Sequence, residues 1–157
     1  MKKCKLYGLE FAAAAQAQCH AATGKRIQAP ADVAEIISPI IGKVEQEQFW
    51  VILLNAKHYI IGLHLATQGL VDRSQIHARE VFRWAVADLA SAVILVHNHP
   101  TGDPTPSPQD LECTKTLTAA GKIIGITVLD HIIIGNDTPA APLHIRQIIS
   151  FRESALL

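Results

Sequence analysis

Ala92-Val93-Ile94-Leu95-Val96-His97-Asn98-His99-Pro100 is the stretch on which the fold turns. Ala92 to Val96 is a short continuous apolar run, too short for a typical helix, and predicts a strand buried on both faces. Two histidines, one residue apart, stand where that strand ends. Thr101-Gly102-Asp103-Pro104-Thr105-Pro106 follows, and its prolines and glycine exclude regular structure. Ser107-Pro108 then opens a helix, because a serine hydroxyl caps free backbone N–H groups and proline fits the first helical position.

The same pattern extends in both directions. Phe49-Trp50-Val51-Ile52-Leu53-Leu54 predicts a second buried strand, Asn55-Ala56-Lys57 a turn, and His58 to Ala66 the hairpin partner. Thr67 to Ser74 is polar and loop-like. Arg79 to Leu89 carries Val81, Trp84, Ala85 and Leu89 at helical spacing. The helix opened by Ser107 is expected to end at Gly121, with strands over Ile123 to Leu129 and His131 to Ile134. Upstream, residues 9 to 22 are alanine-rich and helical. Pro30-Ala31-Asp32 opens another helix that runs to about Ile37, before Pro39. Strands alternating with helices predict an α/β or α+β sheet with helices packed on it. Residues 1–40 read as a helical N-terminal extension and 41–157 as the main domain.

A chain of 157 residues, 49% of them apolar, can bury a sizeable core as one domain. Its 14 basic and 14 acidic side chains cancel, so no global field draws it to nucleic acid or anionic membrane. Cys4, Cys19 and Cys113 lack paired spacing, which argues for a reducing compartment rather than a disulfide framework. No apolar run is long enough to span a membrane, and no signal peptide is read at the N-terminus. The expectation is a cytoplasmic protein.

His97 and His99 are two apart on an extended segment and so point to the same side. Asp110 falls at the third position of the helix capped by Ser107, from where its carboxylate reaches back toward the loop. Two imidazoles and a carboxylate are a ligand set that leaves a fourth position open on a catalytic zinc ion. Such an ion lowers the pKa of its bound water to about 7. A plainer reading stands beside this one. Ser-x-x-Asp before a helix is a variant of a capping box that needs no metal, and histidines at a strand end can be ordinary polar residues. A hydrolytic site also needs a general base. Glu80 has a ready structural role at a helix start. Glu47 precedes Phe49 and Trp50 at a strand mouth, where partial desolvation suits a base. His131 reads more simply as a buried histidine bonded to Asp130 than as a partner of the site. His58, His64 and His144 are isolated, and Cys113, Trp50 and Trp84 read as core contacts.

The run from His97 to Asp110, His-x-His-Pro, six residues, Ser, two residues, Asp, resembles the signature of the JAB/MPN metalloprotease superfamily, also called JAMM. Asn98, Thr101-Gly102, Arg79-Glu80-Val81-Phe82, Leu129-Asp130-His131-Ile132-Ile133-Ile134-Gly135 and Ser150-Phe151-Arg152-Glu153 are similar, more specifically, to the RadC family. The resemblance covers roughly residues 25 to 153. It implies a three-layer α/β domain, cytidine-deaminase-like, with a curved mixed sheet flanked by helices. It also implies one Zn²⁺ held by His97, His99 and Asp110, with Glu47 as the catalytic base and Glu80 left structural. Ser107 would then donate to the oxyanion of a tetrahedral intermediate. The implied activity is hydrolysis of a peptide or isopeptide bond in a protein or peptide substrate.

Some positions depart from that pattern. Asn55 stands where aspartate is commoner, and Ala78 where RadC relatives usually have proline. The chain also lacks room for the N-terminal helix-hairpin-helix region of longer RadC proteins, which weakens any expectation of DNA binding. An accessory role in DNA metabolism with a structural or vestigial metal site is the alternative. A third reading, a nuclease or other hydrolase on Mg²⁺ or Mn²⁺, would call for more carboxylates.

Overall fold

A computed structural model describes residues 13–41, 46–69, 76–137 and 146–157. Gln48–Leu54 forms β1, a run whose seven residues are all buried. It pairs antiparallel with β2, Ile60–Gln68, across a turn that Asn55 closes by accepting the backbone N–H groups of Lys57 and Tyr59 on Oδ1. On its other side β1 pairs antiparallel with β3, Ala92–Asn98. β3 runs parallel to β4, Thr127–Asp137, and β4 pairs antiparallel with β5, Arg146–Ser150. The result is a five-stranded mixed sheet of order β2-β1-β3-β4-β5.

Helices cover both faces, giving three layers. Alternate residues of β1 and β3 decide which face they serve. Trp50, Ile52, Leu54, Ile94 and Val96 pack with α1 (Ala13–Ala22) and α2 (Pro30–Ile41) through Cys19, Val33, Ile37 and Ile41. Phe49, Val51, Leu53, Val93 and Leu95 pack with α3 (Ala78–Ala87) and α4 (Pro108–Ile124) through Val81, Phe82, Ala85 and Leu117. The expected fold class, an α/β three-layer domain, is the one observed.

Several details correct the sequence expectations. α2 continues past Ile37 and through Pro39 to Ile41, because Ile40 and Ile41 complete the buried stripe begun by Val33 and Ile37. α4 does not stop at Gly121 but runs to Ile124, and Gly125 ends it in the left-handed conformation at φ 81°. Ile123 to Leu129 and His131 to Ile134 are not two strands, since β4 runs unbroken through Asp130. β5 lies where no strand was expected. α1 and α2 share one core with the sheet. The parts of the first helix and of the 67–74 loop at 9–12 and 70–74, together with Cys4 and His144, lie outside the described residues.

Candidate metal centre

Strand register brings the chemical groups together. Phe49 of β1 pairs with His97 of β3, so Glu47, two residues before Phe49, arrives beside the end of β3. The same loop that leaves β3 leads into α4, which puts Asp110 over that strand end. Asn98, between the two histidines, faces the other way and grips the Glu47 segment. Its Oδ1 accepts the Gln48 N–H at 2.8 Å and its Nδ2 donates to the Gln46 carbonyl at 3.2 Å. Hydrogen bonds on both sides thus hold the backbone that carries Glu47.

The atoms converge closely. His97 Nε2 and His99 Nε2 are 3.0 Å apart. Asp110 Oδ1 lies 3.2 Å from His97 Nε2, and Asp110 Oδ2 lies 3.5 Å from His99 Nε2. Glu47 Oε1 stands 3.9 Å from His97 Nε2. His97 and Asp110 are fully buried, while the Glu47 side chain keeps 20% of its surface exposed. Glu47 therefore forms the lip of the site and Asp110 its floor. Two donor sets share the histidines. One is closed by Asp110, and the other by Glu47, whose carboxylate joins the two imidazoles within 4.8 Å.

The groups present suit a cation. His99 Nδ1 lies 2.6 Å from the Asp103 carbonyl, which only accepts, so Nδ1 carries a proton, and in the neutral ring Nε2 offers a lone pair to the site. That lone pair meets a second imidazole nitrogen and a buried carboxylate, a collection of acceptors that needs a positive charge among them. Burial opposes ionisation of Asp110, but hydrogen bonds from His97, His99 and Ser107 outweigh it and hold the carboxyl well below the usual carboxylate range.

Ser107 does what a helix cap does. Its Oγ accepts the Asp110 N–H at 3.2 Å, and Asp110 Oδ2 accepts the Ser107 N–H at 2.7 Å. Its hydroxyl also donates to Asp110 Oδ2 at 2.7 Å. The capping box and the approach to the histidines are therefore one arrangement, in which capping bonds taken by Oδ2 turn Oδ1 toward His97. Glu80 pairs with Arg79 and Arg83, each at 3.5 Å.

His131 corrects the sequence expectation. Asp130 accepts only its backbone N–H, at 2.7 Å, and spends its other contacts on Ser150 Oγ and the Arg152 N–H. The imidazole lies on the opposite face, 2.8 Å from His97 Nδ1 through its Nε2 and 2.5 Å from Thr114 Oγ1 through its Nδ1. Alternation along β4 carries the signal that was missed. His131 pairs with Leu95 and shares its face, the face of His97, while Asp130 turns to the other.

Comparison with known proteins agrees with this architecture. A family model described as a RadC-like JAB domain matches residues 27–154. A UPF0758 protein of Symbiobacterium thermophilum is 45% identical over 128 residues, which cover 82% of this chain and 51% of that protein. UPF0758 proteins of Desulforudis audaxviator and Alkaliphilus metalliredigens are 43% and 46% identical over 111 and 112 residues, 71% of this chain and 48% of each of theirs. The chain spans about half the length of the curated relatives it matches.

Proposed function

The chain belongs to the family of RadC-like JAB domains, and on that footing we propose that it is a zinc-dependent hydrolase of peptide or isopeptide bonds. His97, His99 and Asp110 hold the ion, and Glu47 is the acid–base residue. The observation that carries the reading is the convergence of two imidazole Nε2 atoms, 3.0 Å apart, on the buried Asp110 carboxylate, with a second carboxylate 3.9 Å away at the lip. Asp110 is the better ligand of the two because it is the closer and the fully buried one, so its charge most needs a cation. Bound zinc supplies Lewis acidity and a nucleophilic oxygen at neutral pH.

The chain's own residues supply the rest. The Glu47 carboxylate, partly open to solvent, takes the proton of the attacking water and returns it to the leaving amine. Asn98 keeps Glu47 in place through the backbone on either side of it. The Ser107 hydroxyl can serve an oxyanion only by giving up its bond to Asp110 Oδ2, which keeps the Ser107 N–H as donor. The formal net charge of +0 lends no support to the alternative of a DNA-binding accessory protein. A peptide library incubated with the zinc-loaded protein and read by mass spectrometry tests the activity. Cleavage that falls about 10²–10⁴-fold in Glu47→Gln, with metal still bound, is expected. Cleavage untouched by that substitution, or none at all, overturns the reading.

A further inference from the structure

The hydrogen bonds around the third histidine have a direction. Thr114 Oγ1 lies 2.6 Å from the Asp110 carbonyl, which can only accept, so the hydroxyl proton is committed there. The oxygen's remaining capacity is to accept, and it meets His131 Nδ1. His131 therefore carries its proton on Nδ1. A neutral His131 then presents a lone pair at Nε2, and the atom 2.8 Å from it, His97 Nδ1, must be the donor. With its proton on Nδ1, a neutral His97 turns a bare Nε2 toward His99 and Asp110.

Packing holds the third ring in that pose. Its residue is fully buried. Phe49 meets the ring edge-on at 5.5 Å and Phe151 lies 4.7 Å away. Asp130 secures Phe151 by accepting Ser150 Oγ and the Arg152 N–H on either side of it.

We propose that His131 is a positioning residue, which fixes the tautomer and ring orientation of His97 through the relay Asp110 carbonyl, Thr114 hydroxyl, His131, His97. The relay closes on itself, since Asp110 anchors it through its carbonyl and meets His97 through its carboxylate. One helix turn thus sets both a candidate ligand and the proton that makes its neighbour a ligand. The inference rests on the metal reading above for its purpose but not for its geometry.

The test has a part for each. Long-range ¹H–¹⁵N NMR of the wild-type protein without added metal reads the tautomers directly. A proton on Nδ1 of both His97 and His131 is expected, and a His97 whose Nδ1 is bare overturns the relay whether or not the protein binds zinc. Competition with a chromophoric chelator then measures zinc affinity. His131→Phe, which fills the cage but accepts no proton, should weaken it about 10- to 100-fold. His131→Gln, whose amide can accept from His97 and donate to Thr114, should recover most of that loss. Thr114→Val should weaken it as well, and serves if His131→Phe does not fold. Variants that fold, by circular dichroism, and bind zinc as tightly as wild type would overturn the proposal while leaving the metal reading intact. A wild type that binds no zinc would overturn the metal reading, with the NMR result still deciding the relay.

Discussion

Asp110 is asked to do three things with one side chain. It caps α4, faces His97 and His99, and carries a negative charge in a fully buried position. Its lowered pKa has a stability consequence. A depressed folded-state pKa contributes stability that is present above the unfolded value and is lost as pH falls through the folded one. In chelator-treated protein, the stability gap between wild type and Asp110→Asn should shrink as pH falls below 3.8. Urea unfolding at a series of pH values measures the gap, and a gap that stays flat into strong acid contradicts the assignment. Ser107→Ala removes the cap and should cost about 1 kcal/mol in the same assay. At this scale the convergence of His97, His99 and Asp110 was legible because spacing alone, His-x-His and then Ser-x-x-Asp, fixes their direction. His131 and Asn98 were not, because their roles depend on strands remote in sequence. Asn98 acts on residues fifty positions upstream, and His131 on a helix face seventeen positions away.

Elements meet closely at two glycines. Gly121 sits inside α4, where alanine would ordinarily stabilise a helix by about 0.5–1 kcal/mol. Here a Cβ would lie 2.5 Å from the Ile126 carbonyl and 3.1 Å from the Phe82 ring. Gly121→Ala should therefore destabilise by about 1–3 kcal/mol, the range for overpacking, when followed by denaturant unfolding. Gly135 of β4 lets the loop after His99 lie against the strand, since a Cβ there would be 2.3 Å from the Gly102 carbonyl. Gly135→Ala should displace that loop, disturb the Asp103 carbonyl that holds His99, and weaken metal binding. These contacts also explain why element ends were misread. Gly121 resembles a helix terminator in sequence but is a packing glycine, and Gly125 is the terminator. Asp130 resembles a strand break, yet its carboxylate is satisfied by the Ser150–Arg152 segment, so β4 passes straight through it.

Across the whole molecule, the three layers depend on both helical walls. The sequence shows no chemistry in residues 1–40, which is why they read as an extension, but pattern alone does not reveal which sheet face a helix covers. Val33, Ile37, Ile40 and Ile41 are buried against the sheet. A chain begun at residue 41 should lose its cooperative thermal unfolding and aggregate, as monitored by circular dichroism and size-exclusion chromatography. An ion held by His97 and His99 at the end of β3 and by Asp110 at the start of α4 would tie strand to helix. Zinc at a thousand times its dissociation constant should then stabilise the fold by about 4 kcal/mol. The most direct measurement is the metal content of protein purified without added metal. About one zinc per chain, lost in His97→Ala and removed by chelator with a fall in thermal stability, is the result predicted. Protein that carries no metal, takes up none when it is offered, and is indifferent to chelator would contradict the assignment of this site.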